Sequence, residues 1–137
     1  MDIAAAPARV WTVLCGPLLL PLWAGADARL QPRKGGRWSV TVAPGLQREA
    51  LVDVFEPPRR LRLIYLMPAE LPAFDGAVVD DILLEADGPG TIVRLLCSGV
   101  PELAGWTPYH ARVRALSERS LARLKLLCEK RERVPAS

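Results

Sequence analysis

The feature that most constrains this fold is a long segment near the C-terminus that lacks helix-breaking residues. From Trp106 to about Glu132 the sequence contains no glycine, and its one proline, Pro108, falls in the first turn. At 1.5 Å per residue such a helix would be about 40 Å long. Apolar residues at helical spacing form a broad stripe along it, so the sequence predicts an amphipathic helix that must lie on another apolar surface.

The preceding part of the chain is predicted to supply that surface as a sheet. Apolar and polar residues alternate in several runs, which indicates strands with one buried face. Glycine and proline, 10 and 13 of the 137 residues, fall between these runs and predict tight turns. The predicted strands are 37–42, 46–56, 61–67, 78–86 and 91–98, with an extended segment near Arg29. Short connections between successive strands predict an antiparallel meander. In 46–56, Val52 and Val54 compete with Leu51 and Phe55 for the inner face, so the register stays open.

Two short helices are predicted before the sheet. Pro7 suits the first position of one helix, and Gly16-Pro17 ends it. A second helix is expected from Leu18 to Ala24. The apolar segment 10–24 has features of a signal peptide, but Asp2 weakens its basic start and Pro21 breaks its apolar run. We therefore expect a pair of helices, no membrane span and a cytoplasmic protein.

Composition and motifs exclude several classes of function. Half of the residues are hydrophobic, which suffices for a core, and the net charge of +3 falls short of a nucleic-acid-binding signature. The three cysteines, Cys15, Cys97 and Cys128, form no C-x-x-C pair, and the chain has one histidine. Cys97 and Cys128 fall on predicted buried faces. Phosphate-binding loops and hydrolase or zinc-protease motifs are absent from the sequence. We expect no metal, no cofactor and no nucleic-acid partner.

Several short motifs give the chain a family resemblance. The segment Ala5-Ala6-Pro7-Ala8-Arg9-Val10-Trp11 resembles the start of the first helix in the START-like superfamily, also called SRPBCC or birch-pollen-allergen-like. Further motifs resemble, in order, those of the branch related to the activator of the heat-shock-protein-90 ATPase: Gly35-Gly36-Arg37-Trp38, Glu56-Pro57-Pro58-Arg59-Arg60-Leu61, Gly90-Thr91 with Ser98-Gly99, Gly105-Trp106 and 120–125. The resemblance covers nearly the whole chain.

The resemblance implies an α+β helix-grip fold. In that fold a curved antiparallel sheet wraps around a long C-terminal helix, with two short helices near the N-terminus. We expect residues 1–137 to form a single domain of this kind. The chain departs from the family in its first strand, which is shorter than usual, and at Asp80 and Cys97, where other residues are common. A short first strand is compatible with a homodimer in which a partner covers the gap.

The family fold holds hydrophobic molecules between the sheet and the long helix, which implies a set of inward-facing residues here. Each could instead fill a solid core, but polar residues in the same stripes favour a cavity, because buried unpaired polar groups are costly. The expected ligand-binding residues are Trp38, Val40, Leu63, Tyr65, Ile82, Leu84, Val93, Leu95, Trp106, Tyr109, His110, Val113 and Ser117.

Catalysis would need polar groups that meet at one ligand position. The candidates are His110, Asp80 and Tyr65, because imidazole, carboxylate and phenol groups can transfer protons. The simpler interpretation places His110 against water or a neighbouring side chain, and places Asp80, next to Asp81, at a strand end in solvent.

Three functions are compatible with these residues and with the family resemblance. The first is binding of a hydrophobic small molecule or lipid without catalysis, in the cavity between the sheet and the C-terminal helix. The second is a protein-interaction module, implied by the co-chaperone-like branch. The third is a polyketide cyclase or dehydratase that uses His110. Whether the protein is an enzyme stays open, with binding favoured over catalysis.

Overall fold

A computed structural model describes residues 1–130. In chain order the elements are β1 (Asp2–Ile3), α1 (Pro7–Cys15), α2 (Leu20–Trp23), β2 (Arg29–Leu30), β3 (Arg37–Ala43), β4 (Leu46–Glu56), β5 (Arg60–Tyr65), β6 (Val79–Asp87), β7 (Gly90–Ser98) and α3 (Trp106–Glu129). The strands form one antiparallel sheet in the order β1-β7-β6-β5-β4-β3-β2. This curled sheet and α3 form the α+β helix-grip fold that the sequence predicted.

The sheet is a meander to which the start of the chain is added at one edge. Strands β2 to β7 pair with their neighbours in sequence, whereas β1 pairs with β7. The N-terminal amine of Met1 donates a 2.9 Å hydrogen bond to the carbonyl of Val93, and the Thr91 hydroxyl donates to the carbonyl of Ala5 at 2.7 Å. These bonds fix the two-residue strand β1 beside the C-terminal strand of the meander.

Helix α3 lies across the inner face of the sheet. Its buried residues recur every four or seven positions and so share one face: Trp106, Val113, Ser120, Leu124 and Cys128. At its C-terminal end, the Glu129 carboxylate accepts a 2.8 Å hydrogen bond from the backbone N–H of Ala4. The Arg123 side chain donates a 3.0 Å hydrogen bond to the backbone carbonyl of Trp23, the last residue of α2. The long helix is therefore attached to both the first strand and the second helix.

A β-bulge in β4 decides which residues of this strand face the core, which the sequence left open. Val52 pairs with Leu63 and Val54 pairs with Arg62, so Asp53 is an extra residue in this strand. Because of this extra residue, even-numbered side chains face the core before the bulge and odd-numbered ones after it. Val52 is therefore buried, and Phe55 packs against the same core. Both competing sets therefore contribute one inward residue each.

Several predicted boundaries differ from the structure, most of the strand ends by a single residue. The second helix begins at Leu20 rather than Leu18 and ends at Trp23 rather than Ala24, because the carbonyl of Gly16 accepts hydrogen bonds from both Leu19 and Leu20 in a turn. Strand β5 ends at Tyr65 rather than Met67. In the described residues α3 ends at Glu129, and the predicted end near Glu132 lies outside them.

Candidate functional site

The space between α3 and the sheet contains three cavities that meet at one side chain. The largest is a cleft of about 680 Å³ between the β3–β4 turn, the segment after β5 and the first turns of α3. A groove of about 360 Å³ lies beside the middle of α3, and a small apolar cavity of about 50 Å³ lies beneath it. Arg48 contributes to the walls of all three. The Arg48 side chain is therefore shared by the walls of all three cavities.

Arg48, Tyr65 and Asp80 form a buried polar cluster at this junction, which we call the inner triad. They come from three adjacent strands, β4, β5 and β6. The Tyr65 hydroxyl donates a 2.6 Å hydrogen bond to Oδ2 of Asp80. Arg48 Nη1 lies 3.9 Å from the same oxygen, and the guanidinium carbon lies 3.7 Å from the centre of the Tyr65 ring. The cluster thus combines a hydrogen bond, a long ion pair and a cation–π contact.

Burial determines the protonation of the tyrosine in this cluster. Desolvation raises the pKa of Tyr65 well above its ordinary value, Asp80 raises it further, and Arg48 opposes both. The phenol therefore stays protonated at neutral pH and remains a hydrogen-bond donor to Asp80. Arg48 is only 8% exposed, and its Nε has no hydrogen-bond partner within residues 1–130. The inner triad consequently contains a buried, charged donor that the described part of the chain does not satisfy.

Aromatic side chains form the walls around the inner triad. Trp38 contacts Tyr65 edge to face at 5.8 Å between ring centroids, and Trp106 contacts Phe74 and Tyr109 in the same way at 5.3 and 5.8 Å. The Trp106 indole also donates a 2.9 Å hydrogen bond to the carbonyl of Pro72. This bond fixes Trp106 between the large cleft and the 68–76 loop, so the wall of the cleft is a packed structure.

The structure brings most of the expected ligand-binding residues to these cavities. Tyr65, Trp106 and Tyr109 line the cleft, whereas Leu95, His110, Val113 and Ser117 line the groove. The small cavity is lined by Trp38, Val40, Leu63, Tyr65, Ile82, Leu95 and Ser117. Leu84 and Val93 lie in the core and line none of the three. The predicted set therefore divides into cavity walls and ordinary core.

The three catalytic candidates are only partly brought together. Tyr65 and Asp80 are hydrogen-bonded, and His110 lines the groove together with Asp80. Within the described residues, however, Tyr65 donates a hydrogen bond to Asp80 and His110 does not. The enzyme interpretation pairs His110 with Asp80 or Tyr65, and within residues 1–130 no hydrogen bond joins His110 to either of them.

The expectation that Asp80 lies at a strand end in solvent is wrong. Asp80 is 8% exposed and faces the interior, whereas its neighbour Asp81 points the other way and accepts two hydrogen bonds from Arg60 at 2.9 and 2.7 Å. Alternation along β6 explains this division, since adjacent side chains lie on opposite faces. The interior carboxylate is matched by the interior cation of Arg48.

Two cysteines and one arginine differ in how well the sequence predicted their positions. Cys97 was expected on a buried face but is exposed, because it lines the open groove rather than the closed core. Cys128 is buried as expected. Arg48 was not identified as a site residue. Its alternation with Ala50 and Val52, both buried, is the signal that could have placed it on the inner face.

Among residues 1–130, no three histidine, cysteine or acidic residues lie close enough together to hold a metal ion. No helix in the same range is long and apolar enough to cross a membrane.

Comparison with known families and structures gives a consistent result. The family model described as Activator of Hsp90 ATPase homolog 1-like protein matches residues 4–129. No curated protein matches the chain.

Several solved structures share the fold. Protein MLL2253 from Mesorhizobium loti has a TM-score of 0.80 at 21% identity, with 96% of each chain covered. The Aha1 dimer from Colwellia psychrerythraea, a solution structure, gives 0.75 at 19% identity, covering 95% of this chain and 92% of that one. CalU16 from Micromonospora echinospora gives 0.72 at 18% identity, covering 95% and 73%. At these identities the likeness concerns the fold.

Proposed function

Because the chain belongs to the Activator of Hsp90 ATPase homolog 1-like family, within the START-like superfamily, we propose that it binds a small molecule with an apolar body between the sheet and α3. The observation that carries the proposal is the cleft of about 680 Å³, which leads from the surface to Arg48 and Tyr65 of the inner triad. Ligand sites in proteins are concave and largely apolar, with a few polar groups that fix orientation. The cleft combines apolar side chains with the polar groups of Arg48 and Tyr65 at its inner end.

The aromatic walls support the same proposal. Tyr109 lines the cleft from α3, with the buried Trp106 packed beside it, and Leu66, Met67 and Leu71 line it from the segment after β5. Leu66 and Met67 are exposed in the structure. A ligand in the cleft would remove this apolar surface from water, which is the main source of affinity for an apolar molecule.

Native mass spectrometry of the freshly purified protein is the first experiment. A mass in excess of the denatured protein's mass, lost on denaturation, would support an occupied cleft and would identify the compound. The apo protein is then titrated with N-phenyl-1-naphthylamine, a neutral fluorescent probe. We expect saturable binding with one probe per chain.

A matched pair of variants locates the bound probe. Leu66→Asp places a carboxylate on the wall of the cleft, whereas Leu96→Asp makes the same change at an exposed strand position outside all three cavities. We expect Leu66→Asp to weaken probe binding at least about tenfold, since a charged group replaces an apolar contact. Leu96→Asp should bind the probe like the wild type. Equal binding by both variants would place the probe elsewhere.

Protein interaction is a second candidate, favoured by exposed leucines. Leu18 precedes α2, Leu22 lies in it and Leu126 lies in α3, and their exposures are 85%, 57% and 69%. One of the structures with this fold is a dimer, the Aha1 protein from Colwellia psychrerythraea. Light scattering on the wild type and on Leu22→Asp and Leu126→Asp variants tests the homodimer. A dimer that dissociates in these variants would support an interaction surface at α2 and α3. A monomeric wild type would contradict the homodimer.

A further inference from the structure

We propose that Arg48 makes the cleft selective for apolar molecules that end in a carboxylate. This inference rests on the proposed function, because it assigns the chemical class of the ligand at the same site. It adds a specificity-determining residue that contacts the polar end of the ligand.

The unsatisfied state of Arg48 is the first observation. The side chain is more than nine-tenths buried, and Nε has no hydrogen-bond partner in residues 1–130. Its nearest carboxylate contact, from Nη1 to Asp80, is 3.9 Å and is too long for a hydrogen bond. Buried charged donors in proteins are almost always satisfied, so this position favours an acceptor that the described chain does not supply.

Competition for Asp80 is the second observation. Oδ2 of Asp80 accepts the short hydrogen bond from Tyr65, and it is the same oxygen that lies 3.9 Å from Nη1 of Arg48. Tyr65 therefore already uses the Asp80 oxygen that lies nearest to Arg48. The guanidinium keeps donor capacity for another anion.

The shape of the guanidinium selects among acceptors. Its N–H groups form a planar fork that matches the two oxygens of a carboxylate. The Tyr65 ring covers one face of the guanidinium at 3.7 Å, so an acceptor must approach in the plane of the N–H groups. The charges at the mouth of the cleft do not favour one sign strongly, because Arg112 is accompanied there by Glu49 and Glu70. Arg48 is thus the group that distinguishes a carboxylate from a neutral end.

The test compares two probes that differ only at the polar end, decanoate and 1-decanol. Isothermal titration calorimetry at pH 7.5 measures both with the wild type. We expect decanoate to bind at least about tenfold tighter, as charge-assisted hydrogen bonds imply. Arg48→Met should remove this preference, so that decanoate binds no tighter than decanol. Arg119→Met, which removes an exposed arginine of α3 outside the cavities, should retain it.

If Arg48→Met alone is too unstable to test, a second variant answers the same question. Arg48→Met combined with Asp80→Asn removes both buried charges together, so no unpaired ion is left in the core. Circular dichroism checks its fold. It should bind both probes with equal affinity, whereas Asp80→Asn alone should keep the preference for decanoate.

The outcomes separate this inference from the proposed function. Equal affinities of the wild type for the two probes, or a preference that persists without Arg48, would overturn the role of Arg48 and leave the proposed binding function standing. If decanoate, decanol and N-phenyl-1-naphthylamine all fail to bind, the proposed function is wrong, and the inference is wrong with it.

Discussion

Tyr65 on β5 donates a 2.6 Å hydrogen bond to Asp80 on β6, and the two residues are diagonal neighbours on the inner face of the sheet. Asp80 pairs in register with Leu63, two residues before Tyr65. Diagonal neighbours of this kind are within reach when one side chain is long. The register of β5 against β6 therefore places a phenol and a carboxylate in contact inside an otherwise apolar space.

Loss of this hydrogen bond should destabilise the protein. Tyr65→Phe leaves a buried carboxylate without its short donor, which we expect to cost about 1–3 kcal/mol of unfolding free energy. Urea denaturation followed by circular dichroism measures the change. Tyr109→Phe removes a hydroxyl from the only other tyrosine, which is half-buried, and should change stability by less than about 0.5 kcal/mol. Equal effects of the two substitutions would contradict a special role for the Tyr65–Asp80 bond.

The charges of Arg48 and Asp80 should be energetically coupled. Arg48→Met leaves Asp80 buried without its cation, at an expected cost of about 3 kcal/mol. The double variant with Asp80→Asn should be more stable than Arg48→Met alone, because it contains no unpaired buried ion. A double-mutant cycle from urea unfolding gives the coupling free energy. Strictly additive effects would show that the 3.9 Å ion pair contributes nothing.

The outer face of the sheet should account for part of the acid sensitivity. The bidentate hydrogen bonds from Arg60 lower the pKa of Asp81 below its ordinary value of 3.8. A carboxyl group with a lowered pKa stabilises the fold fully above the unfolded-state pKa, and this contribution is lost as the pH falls through the folded-state value.

The Asp81→Asn variant tests this expected direction of the pH dependence of stability. The variant should be less stable than the wild type at pH 7, and the difference should narrow below about pH 4 as Asp81 of the wild type becomes protonated. Urea unfolding at a series of pH values measures it. Asp75→Asn, at an exposed loop position, should follow the wild-type profile throughout. A difference between Asp81→Asn and the wild type that stays constant down to about pH 2 would contradict the assignment.

The glycine after β7 should tolerate no side chain. Gly99 has φ +85°, and a Cβ there would overlap severely with the carbonyl oxygen of Ala77. Gly99→Ala should therefore destabilise the fold by more than about 2 kcal/mol. Gly88 has φ +57° but open space around it, so Gly88→Ala should cost only about 1 kcal/mol. Thermal or urea unfolding compares the two, and a similar loss in both would exclude the steric explanation.

Cys97 should react slowly with thiol reagents although it is exposed. Desolvation, followed by the charge and hydrogen bonding of Asp80, raises the pKa of its thiol to about 11. At pH 8 little reactive thiolate is present, so the rate should rise with pH up to about 11. Asp80→Asn should accelerate the reaction with 5,5′-dithiobis(2-nitrobenzoate) at pH 8, whereas Asp75→Asn should not. A rate that is already independent of pH near 8 would contradict the raised pKa.

Much of the architecture was predictable because it depends on local patterns. The alternation of 37–42 and 61–65 identified strands with one buried face, and both Trp38 and Leu63 are buried. Helical spacing after Trp106 identified the buried face of α3, including Val113 and Cys128. The predicted α+β helix-grip fold and the family are confirmed.

The parts that were not predictable depend on contacts between distant segments. The bulge at Asp53 follows from fitting β4 to β5, and neither strand shows it alone. The exposure of Cys97 follows from the open groove that β7 and α3 form together, which neither element shows alone. Such features need the relative positions of elements that pair or pack over long separations in the chain.

The sequence by itself determined which residues share a face of each strand and of the long helix, because side-chain direction repeats every two residues in a strand and every 3.6 in a helix. Tyr65 shares the parity of Leu61 and Leu63, Asp80 shares that of Ile82 and Leu84, and Arg48 shares that of its buried neighbours Ala50 and Val52. Only the tertiary structure decided that these three side chains meet, that Tyr65 donates to Asp80 and that Nε of Arg48 is unsatisfied within residues 1–130. The physical reason is that periodicity fixes a direction from the backbone, whereas contact requires the register of three strands and the position of α3 above them.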